Sequence, residues 1–201
     1  PGAVAQSINV TKGGKIRLSS TTSSLTASIT ITEGGMLQWD AGTIDISNGT
    51  LDISDDLYIG CNEDATLIAD VGYIYADTVT VCDNGEISGY FRAYTDIFIN
   101  HGVIELGGYY SYSKVYGNFE QSEDGTLITS IGSATTYKRL NVDDGTTTIA
   151  GTLICNSENG YSPPDGTTFM NVVNNYDDLH DGGFDSIIAN GFNAGTNVSQ
   201  A

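Results

Sequence analysis

The chain has 201 residues, and 25 acidic residues against seven Lys and Arg give it a formal net charge of −18 at pH 7. This charge argues against nucleic acid and anionic membrane surfaces as partners. No apolar run approaches the roughly 20 residues of a membrane span, so we expect no membrane insertion. The 25 Gly and only three Pro suit stacked strands, in which a proline would lose a hydrogen bond of the ladder.

Residues 1–13 are predicted to be a lead-in with one short strand, whose apolar residues include Ile8 and Val10. The Ala3-Val4-Ala5 run before it resembles the end of a secretory signal peptide, although an alanine pair in a flexible start would look the same. Together with the acidic composition, this run favours a secreted, extracellular protein.

The centre of the chain, from Asp56 to Lys114, repeats with a period near 20 residues. Each repeat holds an alternating apolar/polar run, a turn, a second short run and a Gly-Tyr corner. Ile59, Val81 and Ile99 take equivalent places, 22 and 18 residues apart. One such repeat cannot bury its apolar face alone, but stacked repeats can. The period therefore predicts an all-β, single-stranded β-solenoid over residues 14–160, with coils of about 20 residues and these three residues stacked inward.

Tyrosine recurs once per coil after a corner glycine, at Tyr73, Tyr90 and Tyr109, which predicts a tyrosine column. Two interpretations are open: a ladder stabilised by ring contacts, or an exposed surface for glycan stacking or subunit contact. Further tyrosines crowd nearby: Tyr75, Tyr94, Tyr110, Tyr112 and Tyr116.

Threonine also recurs after turn residues and is predicted to form a second column. Its members are Thr43, Thr50, Thr66, Thr126, Thr146 and Thr152. Flat threonine arrays can match an ice lattice, but Glu86 and Val103 interrupt this one, which disfavours ice binding.

The three cysteines contain no C-x-x-C motif, which disfavours a thiolate zinc site. Cys61 and Cys82 are 21 residues apart, about one coil, so they could form a disulfide or remain small buried thiols. Aligning Ile59 with Val81 sets Cys61 opposite Asp83, one place away from Cys82. Both alternatives therefore stay open.

Residues 161–201 depart from the repeat and are predicted to be a C-terminal cap, because the end of a solenoid exposes strand edges and core. With the repeated Gly-Thr-Leu/Ile turns, this tail resembles bacterial extracellular β-helix proteins of the autotransporter-passenger and surface-adhesin kind. The tail residues that carry the likeness are Pro163, Gly166, Phe169, Val172, Val173, Gly182 or Gly183, Phe184 and Ile187. The resemblance implies a right-handed parallel β-helix, export, and an adhesive or structural role, and it carries over no catalytic motif.

Acidic doublets recur at predicted turns, and hard oxygen ligands at turns suit Ca²⁺. Asp177, Asp178 and Asp181 in one tail loop form the best single candidate, without an EF-hand or a nonapeptide calcium repeat. Solvated acidic turns that oppose strand aggregation are the favoured interpretation, and no organic cofactor is expected.

Catalysis has little support in the sequence. Polysaccharide lyases and hydrolases use clustered carboxylates and a basic residue on one face, for which Arg92 is the central candidate. Neither His101 nor His180 has a hydrolase motif beside it.

We expect a non-catalytic structural or adhesive protein whose partners are cell-surface glycans or further copies of itself. A glycan-active enzyme and a glycan- or ice-binding module are the alternatives.

Self-association is expected through strand addition, since terminal strands of a solenoid have unpaired edges. The lead-in strand with Ile8 and Val10 would meet the tail near Phe169 and Phe184 of another copy. Such a heterologous contact propagates into a filament. The predicted side contact consists of Tyr109, Tyr110, Tyr112 and Tyr116.

Overall fold

The structure, a computed structural model, describes residues 8–10, 16–26, 29–31, 35–46, 49–108, 112–164, 167, 169, 172–176 and 180–192. These residues form 18 strands that parallel pairings join into one sheet, and none of them lies in a helix. Accordingly, no helix that could cross a membrane occurs in these ranges. The prediction of an all-β chain of parallel strands is confirmed.

The strands follow one another in short segments. In chain order they are β1 (Ile8–Val10), β2 (Ile16–Thr26), β3 (Ile29–Ile31), β4 (Leu37–Asp45), β5 (Thr50–Ile53), β6 (Asp56–Ile59), β7 (Ala65–Tyr75), β8 (Thr78–Val81), β9 (Gly85–Asn100), β10 (Val103–Leu106), β11 (Tyr112–Gln121), β12 (Thr126–Ile131), β13 (Arg139–Asp143), β14 (Thr147–Ile149), β15 (Thr152–Ser157), β16 (Val173–Asn175), β17 (His180–Gly182) and β18 (Ser186–Asn190).

The parallel pairings fall into three series, which the chain visits in turn. The first runs through β1, β3, β5, the end of β7, the middle of β9, the start of β11, β13 and β16. The second runs through the starts of β2 and β4, β6, β8, the ends of β9 and β11, β14 and β17. The third runs through the ends of β2 and β4, the starts of β7 and β9, β10, β12, β15 and β18. Each segment therefore pairs with the corresponding segments of the preceding and following repeats.

Alternation of side chains puts one apolar row of each segment into a shared core. In the second series the inward column is Leu37, Leu57, Val79, Phe98 and Phe119, and each of these side chains is at most 1% exposed. Such a column buries in every repeat what a single repeat would leave in water, which is why the period predicted the stacking.

The predicted inward alignment is right for Ile59 and Val81, which pair directly and are fully buried. It is wrong for Ile99, which pairs with Thr80 and is half-buried on the other side of the strand. Asn100 instead lies opposite Val81 and is fully buried. A shift of one residue changes which face of the strand a side chain occupies, and the apolar pattern of Ile97 to Ile99 does not reveal that shift.

A polar pair occupies the core beyond Val81. The side-chain amide of Asn100 donates to Gln121 Oε1 and to the Thr126 carbonyl oxygen, at 3.3 Å each. The Gln121 amide in turn donates to the carbonyl oxygens of Gly125 and Ala150, at 3.3 and 3.0 Å. These bonds offset part of the cost of removing the amides from water, while the Asn100 Oδ1 is buried without a donor among the described residues.

The strands at both ends of the chain join the same three series. Ile8–Val10 pairs with Ile29–Ile31 of its own chain. In the tail, Val173–Asn175 pairs with β13, and Ser186–Asn190 pairs with β15. The division into a lead-in (1–13), a stacked body (14–160) and a cap (161–201) stays a prediction.

Candidate functional site

The outward side of the first series concentrates tyrosines and basic side chains. We call this surface the tyrosine–cation face. Its members are Tyr73, Tyr75, Tyr90, Arg92, Tyr94, Tyr112, Lys114, Tyr116, Arg139 and Tyr176. They share one surface because they occupy alternate positions of parallel segments in register, so their side chains project to the same side.

Three tyrosines of this face form a stacked ladder. Tyr94 lies opposite Tyr75 on one neighbouring strand and opposite Tyr116 on the other. The ring centroids of Tyr75 and Tyr94 are 4.8 Å apart, those of Tyr94 and Tyr116 are 4.5 Å apart, and the rings are within 7° of parallel. Both faces of the Tyr94 ring are therefore covered by other rings. Its edge and hydroxyl remain as the groups that the ladder can present outward.

The ladder differs from the predicted tyrosine column. Tyr73 pairs with Arg92, and Tyr90 pairs with Asp70, so these two tyrosines do not align, while Tyr109 lies outside the described residues. Paired positions of β7 and β9 are 20 residues apart before Val71 and 19 apart after it, whereas Tyr73 and Tyr90 are only 17 apart. The change from 20 to 19 is a bulge in β7, where Val71 is skipped in the pairing and adopts a φ of 63°. An extra residue in one strand displaces the alignment of everything after it. The predicted column is thus wrong for Tyr73 and Tyr90, and a stacked ladder is formed instead by Tyr75, Tyr94 and Tyr116.

Arg92 is surrounded by aromatic groups. Its Nε donates to the Tyr90 hydroxyl at 2.7 Å, and its guanidinium carbon lies 5.9 Å from the Tyr73 ring centroid and 5.8 Å from that of Tyr90. The hydrogen bond that Arg92 donates to Tyr90 raises the pKa of Arg92, against an opposing effect of burial. Cation–π contacts of this kind hold a guanidinium in place without neutralising it.

Lys114 is the neighbour of Arg92 on the next strand. Its ammonium group forms an ion pair of 2.6 Å with Asp143 and lies 5.1 Å from the Tyr116 ring centroid and 5.7 Å from that of Tyr176. The Asp143 carboxylate is the main reason that the pKa of Lys114 is raised. Lys114 is therefore both oriented and neutralised.

Arg139 is opposite Tyr112 on the strand beyond Lys114. Its guanidinium carbon lies 5.2 Å from the Tyr137 ring centroid. Its Nε is buried, and no hydrogen-bond acceptor for this nitrogen occurs in the part of the chain that the structure describes. The tyrosine–cation face thus holds a second arginine that lies against an aromatic ring.

The concentration of these cations is unusual for this composition. The sequence has seven Lys and Arg in all, and four of them follow residue 17: Arg92, Lys114, Lys138 and Arg139. Three of those four lie on the tyrosine–cation face. The signal was present in the sequence as alternation of cations with tyrosines, in Tyr90-Phe91-Arg92 and Tyr112-Ser113-Lys114. The sequence interpretation singled out Arg92 alone and missed Lys114 and Arg139.

The predicted self-association residues are dispersed. Tyr112 and Tyr116 lie on the tyrosine–cation face, while Tyr109 and Tyr110 are outside the described residues. Ile8 and Val10 belong to β1, on the first series. Phe169 and Phe184 are partly buried against the protein's own core, and Phe169 forms an edge contact of 5.7 Å with Tyr137.

The structure describes only part of the predicted calcium site and places the two histidines apart from the tyrosine–cation face. In the calcium candidate, Asp181 is exposed on β17, whereas Asp177 and Asp178 are outside the described residues. No group of three or more potential metal ligands occurs among the residues described. Of the histidines named above, His101 is half-buried in a bend after β9, and His180 begins β17.

The threonine column is confirmed in part. Thr43 pairs with Thr66, Thr126 pairs with Thr152, and Glu86 and Val103 lie between these pairs as predicted. Two members were assigned wrongly. Thr50 pairs with Tyr73 on the first series, and Thr146 bonds to Asn118 beside the second. A turn residue before a threonine does not by itself say which series the strand joins.

Cys61 and Cys82 form a disulfide, with their Cα atoms 4.8 Å apart. Ile59 and Val81 pair as expected, yet the bond forms because the chain turns after Ile59 through Gly60, whose φ is 71°. Beyond Gly60 the register of β6 and β8 no longer determines which residue lies opposite Cys61. Cys155 is a buried free thiol, and burial raises its pKa to about 11.

Searches of protein-family models, curated proteins and solved structures found no match to this chain. The tyrosine–cation face is therefore interpreted from its own chemistry.

Proposed function

We propose that this protein is a secreted, non-catalytic structural or adhesive element, built as a right-handed β-solenoid with coils of about 20 residues. The solenoid interpretation is supported by the three series of parallel pairings, each of which joins neighbouring repeats. Stacked repeats of this kind give long, flat and rigid surfaces. Such surfaces suit contact with an extended partner.

The tyrosine–cation face is the observation on which the adhesive function rests. It combines tyrosine with arginine, two residue types that are enriched at binding surfaces. The side chains are held before any partner arrives, since Tyr94 is packed between two rings and Arg92 is bonded to Tyr90. Side chains ordered in advance lose little conformational entropy on binding.

Export is supported by the disulfide between Cys61 and Cys82, because such bonds persist in oxidising compartments. The Ala3-Val4-Ala5 run points the same way. The expected partners are cell-surface glycans, with self-association as a second mode of assembly.

The test combines adhesion with a search for turnover. The purified protein is applied to immobilised polysaccharides and glycan-bearing cells, and the same mixtures are assayed for new reducing ends and for unsaturated products. Retention on a glycan surface without product formation is the expected result. Product formation would contradict the proposal and favour the glycan-active enzyme. Retention that is equal for glycan-coated and bare supports would contradict the adhesive function. Light scattering of the unbound protein measures self-association independently.

A further inference from the structure

We propose that the tyrosine–cation face recognises a short acidic saccharide through the sugar's carboxylate, with Arg92 and Arg139 as its receptors. This inference rests on the proposed adhesive function and adds the chemical class of the ligand.

The first step is the state of the two arginines. Among the described residues, the ion pair on this face joins Lys114 to Asp143, and the contacts of Arg92 and Arg139 are aromatic. A chain with 25 acidic residues could readily pair each arginine with a carboxylate. On this face, however, the two arginines contact tyrosine rings. The two guanidinium groups thus retain their positive charge for a ligand from outside.

The second step is the choice of acidic group. A guanidinium presents parallel N–H donors that match the two oxygens of a carboxylate. The Nε of Arg92 is already bonded to Tyr90, which fixes the group and leaves the terminal nitrogens for an anion. The buried Nε of Arg139 lacks an acceptor in the described part of the chain. Because this nitrogen is closed off from solvent, the terminal nitrogens of Arg139 are the groups that a carboxylate from outside would meet.

The third step is the spacing of the charges. Arg92 and Lys114 lie on adjacent strands in direct register, and Arg139 is one strand farther, opposite Tyr112. With about 4.8 Å between strands and about 3.3 Å per residue along them, two strands and a two-residue offset separate the backbone positions of the two arginines by about 12 Å. That span accommodates a few sugar units. A long polyanion would also meet the repulsion of the remaining surface, since the net charge is −18. A short acidic saccharide fits both conditions.

The fourth step is the role of the tyrosines. Sugar rings stack on exposed aromatic faces, but both faces of Tyr94 are covered. The ladder therefore offers hydroxyl groups along its outer edge, which can exchange hydrogen bonds with sugar hydroxyls. Affinity consequently depends on charge and hydroxyl contacts more than on stacking, and it should fall steeply with salt.

The test uses trigalacturonate as the probe, with its methyl ester and neutral trigalactose as uncharged controls and a sulfated trigalactose to separate carboxylate from sulfate. Binding is measured by calorimetry at low and high salt. We expect trigalacturonate to bind, and the two uncharged saccharides to bind at least tenfold more weakly, because hydrogen bonds between charged groups are the stronger ones.

Two variants locate the site. Arg92→Gln and Arg139→Gln should each weaken trigalacturonate binding by about tenfold or more. Lys138→Gln removes the same charge from a residue that bonds to the Gly108 carbonyl oxygen and is outside the face, and it should change binding less than twofold. Equal thermal stability of the three variants verifies that the fold is intact.

The outcomes separate the two proposals. Equal binding of the methyl ester, or unchanged binding by Arg92→Gln and Arg139→Gln, overturns the carboxylate inference and leaves neutral-glycan adhesion standing. Tighter binding of the sulfated sugar overturns the carboxylate assignment. Turnover of any of these sugars overturns the non-catalytic function itself.

Discussion

Removing the disulfide tests the contact between neighbouring repeats. Cys61 and Cys82 enclose a loop with a sequence separation of 21 residues. In the chain-entropy model, a cross-link of that loop length restricts the unfolded chain by about 3.3 kcal/mol at 25 °C. For a protein of this size, 1 kcal/mol corresponds to about 2–4 °C in Tm. Loss of the bond should therefore lower Tm by about 7–13 °C.

The assay is thermal unfolding followed by circular dichroism, with and without reductant. Reductant should lower the Tm of the wild-type protein, whereas the double variant Cys61→Ser/Cys82→Ser should start at the lower Tm and not respond. Cys155→Ser is the control, because Cys155 is a free thiol and its variant should keep the response to reductant. A wild-type Tm that is the same in both conditions would refute the cross-link and remove one support for export.

Three further predictions concern packing and backbone conformation. Phe98→Ala should cost about 3–5 kcal/mol in a urea titration, because Phe98 is fully buried, while Ile99→Ala on the other side of the strand should cost about 1 kcal/mol; equal costs would mean that the register is wrong. Gly117→Ala should destabilise far more than Gly160→Ala, which should cost about 1–2 kcal/mol. Both glycines have positive φ, but only a Cβ at Gly117 would collide with the Thr95 carbonyl oxygen. Val71→Gly should raise the unfolding free energy by about 1 kcal/mol, since a β-branched residue is strained at positive φ; a lower Tm would show that the Val71 side chain matters more than its backbone.

The sequence predicted the parts of the fold that follow from periodicity. The period near 20 residues predicted the stacking of parallel segments, and the repeat correctly identified Ile59 and Val81 as inward. These features depend on side-chain hydrophobicity and strand geometry, which can be deduced from the order of residues. The interruption of the threonine column by Glu86 and Val103 could be deduced from the residue order as well.

The failures arise where one residue changes the register. The bulge at Val71 realigned Tyr73 with Arg92, and the resulting Tyr75–Tyr94–Tyr116 ladder could not be deduced from Gly-Tyr spacing. The turn at Gly60 brings Cys61 to Cys82, although strand alignment alone places Cys61 opposite Asp83. Backbone conformations at single turn residues are decided by tertiary packing, so a pattern of apolar residues does not contain them.

The buried amides of Asn100 and Gln121 specify which repeats pair with each other. A chain of similar apolar segments risks pairing a strand with the wrong repeat while it folds, since many partners offer the same hydrophobic gain. Asn100 finds its acceptors at the end of β11 and at Thr126, the first residue of β12. Against another repeat its amide would be buried without a partner, at a cost of about 1–3 kcal/mol. A core that is slightly less apolar at this level thereby discriminates between neighbours that are otherwise nearly interchangeable.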